Sequence, residues 1–313
     1  MAGKATRVAF GEALLRIGAR NERVVVINAD LGKSTNTVKF VQQFPDRSFN
    51  VGVAEANMIG IGTGLALEGW IPFICTFASF VAGRFETIRV SVAYNHANVK
   101  IVGTHAGIGI GEDGYSQMAI EDIALMRSLP NMAVVQPGDG IETERAVEYI
   151  VQHQGPVFLR LTRQKVEDVN PPDYRFEFGK GVILEAGQGE GRDLTIMATG
   201  GTVHNAREAA RELRKQGVDA RAVNIHTLKP IDEELILDSI QRSGRILTVE
   251  DHGVVGGLGS AVSEVVAERG EGIVRRIAVR GFGESGDPIA LYKKFGLSID
   301  NIVAEAKKLV KKQ

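Results

Sequence analysis

The sequence of 313 residues has a single cysteine, Cys75, and a formal net charge of −1. One cysteine cannot form a disulfide within the chain, which favours a reducing compartment and predicts a cytoplasmic protein. Because the net charge is so small, the composition favours neither nucleic acid nor an anionic membrane as a partner. No stretch reaches the ~18 apolar residues of a membrane-spanning helix, and the segment MAGKATRVAF lacks the apolar core of a signal peptide.

Glycine, by contrast, is abundant, and short apolar segments alternate along the chain between the 37 glycines. Phe10, Ala13, Leu14 and Ile17 follow helical spacing, and RVVVI at residues 23–27 is typical of a parallel strand covered on both faces. Further strands are predicted at 70–77, 99–102, 133–136 and 157–161, with helices between them that include 117–127 and 141–151. This alternation predicts the α/β class with a doubly wound parallel sheet.

The alternation stops after residue 163, in the charged segment RQKVEDVNPPDYRFEFGKG with its two adjacent prolines. We therefore predict a first domain at 1–165, a linker at 166–190 and a smaller second α/β domain at 191–313. In the second domain we predict strands at 194–198, 221–224, 246–249 and 277–279, and helices at 203–215 and 260–268. Ser298 is predicted to cap the last helix.

The segment from Val51 to Phe80 places a glutamate among apolar residues. Met58, Ile61 and Leu65 follow Glu55 at helical spacing, which predicts that Glu55 lies at the start of an apolar helix. Two interpretations stay open at this point. The carboxylate complements the helix dipole, or it is a buried acid that needs a ligand to share its proton.

Phe77 and Phe80 follow at the end of the next predicted strand, three residues apart. Their rings are either ordinary core or flat faces for a planar ring. A buried acid next to an aromatic shelf would suit a heteroaromatic cofactor.

Two glycine motifs resemble known phosphate sites. Residues 109–114 satisfy GxGxxG, but Glu112 and Asp113 would repel a pyrophosphate, so the pattern is weak evidence for dinucleotide binding. Gly138-Asp139-Gly140 with Asn170 imitates a metal and diphosphate signature, yet Asn170 falls in the predicted linker. We interpret this pair as a turn residue and a linker residue.

Several longer runs together resemble the second half of transketolase, a thiamine-diphosphate enzyme. These runs are GVAEANM, PFICTFASF, THAGIGIGEDGYSQMAIEDIALMRSLPNM, LTVEDHGVVGGLGSAV and FGESGDPIALYKKFGLSIDNIVAEAKK, and they extend over essentially the whole chain. The resemblance implies a pyrimidine-binding domain followed by a transketolase C-terminal-type domain. It also implies a subunit that transfers a two-carbon ketol unit from a ketose phosphate such as xylulose 5-phosphate to an aldose phosphate such as ribose 5-phosphate.

The resemblance gives the following roles to residues near thiamine diphosphate. Glu55 is the catalytic residue, which protonates the pyrimidine ring and so promotes formation of the thiazolium ylide. Phe80, with Phe77 beside it, stacks on the pyrimidine. Gln117, where many transketolases carry histidine, agrees with the animal-type branch and contacts cofactor or substrate without shuttling a proton.

The resemblance also implies a sugar-phosphate site. His105 and Asp113 hold hydroxyl groups of the substrate, and Arg7, Ser34 and Arg163 clamp its phosphate through charge-assisted bonds. The glycines around residue 256, together with His252, could form an anion nest. We interpret them as loop geometry, with a dimer-stabilising role possible.

The transketolase half that binds Mg²⁺ or Ca²⁺ and the diphosphate has no counterpart in this sequence. The resemblance therefore implies a transketolase split over two polypeptides, with the metal held by a partner chain and an α2β2 assembly. Three other hypotheses stay open: the β-subunit of a thiamine-dependent 2-oxo acid dehydrogenase, a non-catalytic subunit, and a nucleotide-binding oxidoreductase.

Overall fold

The computed structural model describes residues 3–269 and 271–311 and contains two sheets with helices packed against them. The strands are β1 (Val24–Asn28), β2 (Ser48–Asn50), β3 (Ile71–Phe77), β4 (Lys100–Thr104), β5 (Ala133–Val135), β6 (Val157–Arg160), β7 (Val182–Glu185), β8 (Leu194–Ala198), β9 (Ala220–Asn224), β10 (Thr227–Lys229), β11 (Arg245–Gly253) and β12 (Ile273–Val279). The predicted α/β class is confirmed.

Helices connect most of these strands. They are α1 (Thr6–Gly18), α2 (Val38–Gln43), α3 (Glu55–Leu67), α4 (Ala78–Ala82), α5 (Phe85–Thr87), α6 (Asp122–Ser128), α7 (Gly140–Ile150), α8 (Val203–Lys215), α9 (Glu233–Ser243), α10 (Leu258–Arg269), α11 (Pro288–Lys294) and α12 (Ile299–Val310). A π-helix covers Ile88–Tyr94, and short 3₁₀ turns occur at Pro45–Arg47, Ile108–Ile110, Tyr115–Gln117 and Gly200–Thr202. None of the described helices is long and apolar enough to cross a membrane.

The first sheet has the strand order β10-β5-β6-β4-β3-β1-β2. All of its neighbouring strands are parallel except β10, which pairs antiparallel with β5. Every residue of β1, β3, β4 and β6 is buried, because helices cover both faces of the sheet. The parallel strands therefore present their carboxyl ends along one edge, where ligands bind in such folds.

The second sheet has the order β12-β11-β8-β9-β7, with only β7 antiparallel. Strand β7 lies inside the segment predicted as a linker at 166–190, and β10 extends from the second unit into the first sheet. Both strands were missed because they are short edge strands whose backbone partners, rather than their own sequence patterns, determine their conformation. The domain limits remain predictions, and their outer ends at residues 1 and 313 lie outside the described residues.

Three local predictions need correction. The helix predicted at 117–127 begins only at Asp122, because the segment before it forms a 3₁₀ turn and an extended stretch. In α3 the buried positions include Met58 and Ile59, whereas Ile61 is 37% exposed. Ser298 occupies the N-cap position of α12, but its side chain makes no capping hydrogen bond.

A buried ionic network joins the two sheets. Arg160, at the end of β6, donates to both carboxylate oxygens of Asp122 at 2.7 and 3.1 Å. The same guanidinium donates to the backbone oxygens of Ala119 and Asp251, at 2.9 and 3.1 Å. Since Asp251 belongs to β11, this network connects the first sheet to the second directly behind the carboxyl edge.

Candidate active site at the carboxyl edge of the first sheet

Glu55 is the first residue of α3, which packs on β3. Because a helix between parallel strands runs antiparallel to them, its N-terminus lies at their carboxyl edge. The side chain is only 6% exposed, and within residues 3–269 and 271–311 its carboxylate forms no hydrogen bond or ion pair. An acid so largely buried, without a protein partner, is an available group for a ligand that carries a hydrogen-bond donor or an exchangeable proton.

Phe77 ends β3, and Phe80 lies in the next turn of helix. The two rings stack with centroids 5.2 Å apart and planes at 17°, and Phe77 also stacks on the His105 imidazole at 3.8 Å. Phe77 is buried between these neighbours, whereas Phe80 is only partly buried. Phe80 therefore has the ring surface that remains available, and Phe77 supports it from behind.

His105 follows β4 directly, with its backbone in the left-handed region at a φ of 58°. Its Nδ1 lies 2.8 Å from the Thr104 hydroxyl. Burial, together with the charges of Arg7 and Arg163, lowers the pKa of His105 to about 3. The imidazole is therefore neutral at physiological pH, and sequence reasoning did not identify Thr104 as its partner.

Arg7 and Arg163 come from opposite ends of the first domain, yet their charges act on each other and on His105. Burial lowers the pKa of Arg7, and the nearby Arg163 charge lowers it further, while the Asp113 carboxylate raises it. Arg7 donates to the Ser34 backbone oxygen, and its buried Nε has no hydrogen-bond partner among the described residues. The fold thus brings all five predicted substrate-binding residues to one region.

Gln117 lies in the 3₁₀ turn at the far end of the loop that follows β4, and its side chain is half-buried. The Ser79 hydroxyl donates to its backbone oxygen at 3.1 Å. Since Ser79 directly precedes Phe80, this bond connects the loop to the aromatic shelf.

The two glycine motifs are both internal structure. The Gly109 amide donates to the Asp251 carboxylate and lies within a 3₁₀ turn. A dinucleotide-binding turn would instead lead into the N-terminus of an α-helix. The Asp139 carboxylate caps α7. It also accepts hydrogen bonds from the backbone amide and the side-chain Nδ2 of Asn170, at 2.8 and 3.0 Å. Asp139 and Asn170 therefore meet, although the sequence suggested separate roles, and their contact fixes the linker.

The suggested anion nest near residue 256 is filled by the protein itself. The Glu250 carboxylate accepts hydrogen bonds from the Leu258 and Gly259 amides at 2.7 and 2.8 Å. A Cβ at Gly257 would lie 2.0 Å from Glu250, so glycine is required there by the close approach of this carboxylate. Across the described ranges, no group of three or more His, Cys, Asp or Glu side chains is arranged to hold a metal ion.

These residues fit the pyrimidine end of thiamine diphosphate. The unpartnered Glu55 carboxylate can bond a ring nitrogen, and the open face of Phe80 can stack on the ring. The fold and the site together define an α/β protein with a candidate ligand site at the carboxyl edge of a parallel sheet, built from an acid, an aromatic shelf and a basic cluster.

Comparisons with known proteins identify the family. The family model described as the transketolase pyrimidine-binding domain matches residues 2–168, and that of the transketolase C-terminal domain matches residues 185–302. The chain belongs to the transketolase family.

Individual relatives agree with this assignment. The chain is 44% identical to a protein from Methanocaldococcus jannaschii named as a transketolase C-terminal section, over 99% of this chain and 98% of that protein. It is 40% identical to a 6-deoxy-6-sulfo-D-fructose transketolase subunit from Clostridium sp., over 98% and 95% of the two chains. It is 39% identical to mouse transketolase, of which it spans 49%.

Among solved structures, a split-gene transketolase described as an inactive β4 tetramer superposes with a TM-score of 0.89 at 46% identity. The match covers 98% of both chains. Transketolase from Campylobacter jejuni superposes with a TM-score of 0.85 at 25% identity, and the match covers 98% of this chain and 47% of that enzyme.

Proposed function

We propose that this chain is the pyrimidine-binding subunit of a split transketolase that transfers a two-carbon ketol unit between sugar phosphates. The observation that carries the proposal is the basic cluster, in which the Arg7 and Arg163 charges act on each other beside His105 and Asp113. Two guanidinium groups that repel each other at a ligand edge are stabilised when an oxyanion binds between them.

The basic cluster favours sugar phosphates over the substrate of a 2-oxo acid dehydrogenase. A small oxo acid offers no second anionic group at the distance of a sugar phosphate from its reacting carbon. The buried Nε of Arg7 has no partner among the described residues, and a rotation of the guanidinium would turn this donor towards a phosphate. Donors left unsatisfied in the free protein favour a ligand that satisfies them.

Near the reacting carbons, each side chain has a separate task. Thiamine diphosphate, when bound, supplies the carbon nucleophile and the electron sink. Glu55 holds a proton at the pyrimidine nitrogen, and Phe80 orients the ring by stacking. The neutral His105 can donate to one substrate hydroxyl, and Asp113 can accept from another.

A partner chain is the second part of the proposal. Just before α3 and along it, the side chains of Val53, Ile61 and Leu67 are 82%, 37% and 66% exposed, and we name these three residues the α3 surface. We propose that an N-terminal transketolase subunit covers the α3 surface and brings the diphosphate site with its Mg²⁺ or Ca²⁺. Two copies of each chain would form the α2β2 enzyme, working in the cytoplasm.

A sulfonated sugar is a second candidate substrate, because one of the relatives is named as a 6-deoxy-6-sulfo-D-fructose transketolase subunit. A sulfonate is also a terminal oxyanion that a pair of arginines can bind. It carries a smaller charge than a phosphate dianion, so the two substrates should differ in their dependence on the basic cluster.

The test is ketol transfer to ribose 5-phosphate from xylulose 5-phosphate or from 6-deoxy-6-sulfo-D-fructose. The tagged chain is assayed alone and with the partner that it retains from its own cell extract, with thiamine diphosphate and magnesium. We expect activity only with the partner. Glu55→Gln should lower kcat by about 10²–10⁴-fold, the usual contribution of a general acid or base.

Glu68→Gln is the matched control, because Glu68 is an exposed acid at the opposite end of α3. It should leave kcat unchanged. Turnover by the purified chain alone would contradict the need for a partner. Turnover of pyruvate without turnover of either sugar would favour the 2-oxo acid dehydrogenase. If neither pyruvate nor a sugar is turned over, the chain is a non-catalytic subunit.

A further inference from the structure

The loop from residue 105 to residue 118, here called the substrate loop, carries three of the candidate site residues but has little structure of its own. It contains only the short 3₁₀ turns Ile108–Ile110 and Tyr115–Gln117. Its backbone has positive φ at four positions, with values of 58°, 78°, 86° and 81° at His105, Gly107, Gly111 and Gly114. Such a backbone needs contacts from outside to hold one conformation.

Asp251 of the second sheet supplies the principal contact. One of its carboxylate oxygens accepts from the Ile108 amide at 2.8 Å, and the other from the Gly109 amide at 3.1 Å. The side chain is 3% exposed. A Cβ at Gly107 would lie 2.3 Å from the carboxylate, so the absence of a side chain there lets the acid approach the loop backbone. Bonds from amides to a buried carboxylate are charge-assisted and strong.

Tyr292 of α11 orients this carboxylate and connects it to the basic cluster. Its hydroxyl donates to Asp251 Oδ2 at 2.9 Å and accepts from Gln164 Nε2 at 3.0 Å. The neighbouring Arg163 donates to the Ile110 backbone oxygen at 2.9 Å, so the chain of contacts returns to the substrate loop. The carboxylate therefore has three donors from two domains.

A second region of the same domain borders the far half of the loop. The Ser285 hydroxyl donates to the Glu112 backbone oxygen, and the Gly286 amide donates to Gly111 at 3.4 Å. These contacts hold the two residues that directly precede Asp113. The second domain thus holds the loop at residues 108–109 and again at residues 111–112.

We propose that Asp251, oriented by Tyr292, is a positioning residue that fixes the substrate loop so that His105 and Asp113 meet the sugar. The inference rests on the proposed function for the identity of the ligand. It gives the second domain a part in substrate recognition that acts through the backbone of the substrate loop.

Glu250 provides a matched control within the same strand. Like Asp251 it is a buried carboxylate that accepts two backbone amides, but these belong to Leu258 and Gly259 at the start of α10. Glu250→Gln therefore removes an equivalent interaction from the second domain without touching the substrate loop.

The first measurement is hydrogen–deuterium exchange of the full chain, which needs neither partner nor activity. Asp251→Asn cannot accept from all three donors, because an amide has one oxygen. We expect faster exchange in peptides that cover residues 105–118. Tyr292→Phe should give a smaller change in the same peptides, and Glu250→Gln should change only peptides near residue 258.

The second measurement uses the enzyme assembled with its partner. We expect Asp251→Asn to lower kcat/KM for the sugar phosphate by about 10²-fold, the usual cost of a misplaced contact, mainly through KM. The thiamine diphosphate concentration for half-maximal activity should not change. Glu250→Gln should leave both values unchanged.

Equal exchange of residues 105–118 in wild type, Asp251→Asn and Tyr292→Phe would overturn the inference, as would equal losses of kcat/KM in Asp251→Asn and Glu250→Gln. An inactive wild-type assembly would instead contradict the proposed function, and the exchange data would then decide the positioning role. If Asp251→Asn does not fold, Tyr292→Phe carries both measurements.

Discussion

Glu55 and Glu250 are both largely buried acids near the start of a helix, and they differ in what surrounds their carboxylates. Glu250 accepts two backbone amides of α10, and burial, opposed by these bonds and by nearby arginine charges, raises its pKa to about 7. The Glu55 carboxylate has no partner within the described ranges. The Glu250 carboxylate is satisfied within the protein, whereas the Glu55 carboxylate is available to bond a ligand.

The arginines of the two regions differ in the same way. Arg160 is fully buried and donates to Asp122 and to two backbone oxygens. Arg7 lies at the open edge, keeps a buried Nε without a partner in the described residues and faces the repulsion of Arg163. The buried ionic network is therefore complete in the free chain, whereas the basic cluster keeps a donor and a repulsion that a bound anion would satisfy.

The largest effect on stability is expected from breaking the complete network. Asp122→Ala leaves the Arg160 guanidinium buried without its counter-ion, which typically costs ~3–5 kcal/mol of the free energy of unfolding. Denaturant unfolding at one fixed protein concentration measures the change. Asp122→Asn, which keeps the volume and one acceptor, should cost less.

Glu148→Ala is the control for this experiment. Glu148 pairs with Arg145 at 3.2 Å, but the two side chains are 36% and 42% exposed. Exposed pairs contribute ~1 kcal/mol or less, because solvent screens them. Equal losses in Asp122→Ala and Glu148→Ala would show that the buried network is not the stabilising feature that its geometry suggests.

Much of the fold could be predicted from the sequence, because buried parallel strands have a strong pattern. The run VVVI at residues 24–27 is covered on both faces, and a continuous apolar run of β-branched residues is typical of such a strand. The elements missed include the helices α2, α9 and α11 and the edge strands β2, β7 and β10. The edge strands are short and take their conformation from a neighbouring strand, so their own residues carry little signal.

Local patterns pointed to Glu55 and the aromatic shelf, but the substrate-binding residues were predicted only through the family resemblance. No local pattern relates Arg7 to Arg163, which are brought together because the start of α1 and the end of β6 lie at the same edge. The roles of Asp251 and Tyr292 had no signal at all, since a buried acid in a strand and a tyrosine in a helix are ordinary core residues until the substrate loop is seen against them.

A smaller effect, on substrate binding, is expected from weakening the basic cluster of Arg7 and Arg163. Arg7→Gln removes one cation, and loss of a charge-assisted hydrogen bond costs ~1.5–3 kcal/mol, which is about 10–100-fold in KM for a sugar phosphate. The free energy of unfolding should not fall, because the charge repels Arg163 in the free chain. Steady-state kinetics of the assembled enzyme and denaturant unfolding of the variant measure the two quantities.

Arg20→Gln is the control, because Arg20 is an exposed arginine just beyond the same helix. It should change neither quantity. If Arg7→Gln weakened binding of an unphosphorylated ketose as much as that of xylulose 5-phosphate, Arg7 would not be a phosphate ligand. A smaller effect with the sulfonated sugar than with the phosphate would agree with the smaller charge of a sulfonate.

The smallest effect concerns the protonation of His105, whose pKa depends on the charges of the basic cluster. Its pKa is lowered from 6.5 to about 3 by burial and then by Arg7 and Arg163, so the imidazole should stay neutral through the physiological range. Because the folded pKa lies below the unfolded one, the neutral ring contributes stability that is fully present above 6.5 and is lost as the pH falls towards 3. NMR of histidine-labelled protein, with His105→Gln to assign the signal, measures this titration.

Arg7→Gln should raise the pKa of His105 while leaving it below 6.5, because burial persists. A wild-type His105 that titrates near 6.5, or one that does not respond to Arg7→Gln, would mean that the arginine charges do not reach the imidazole.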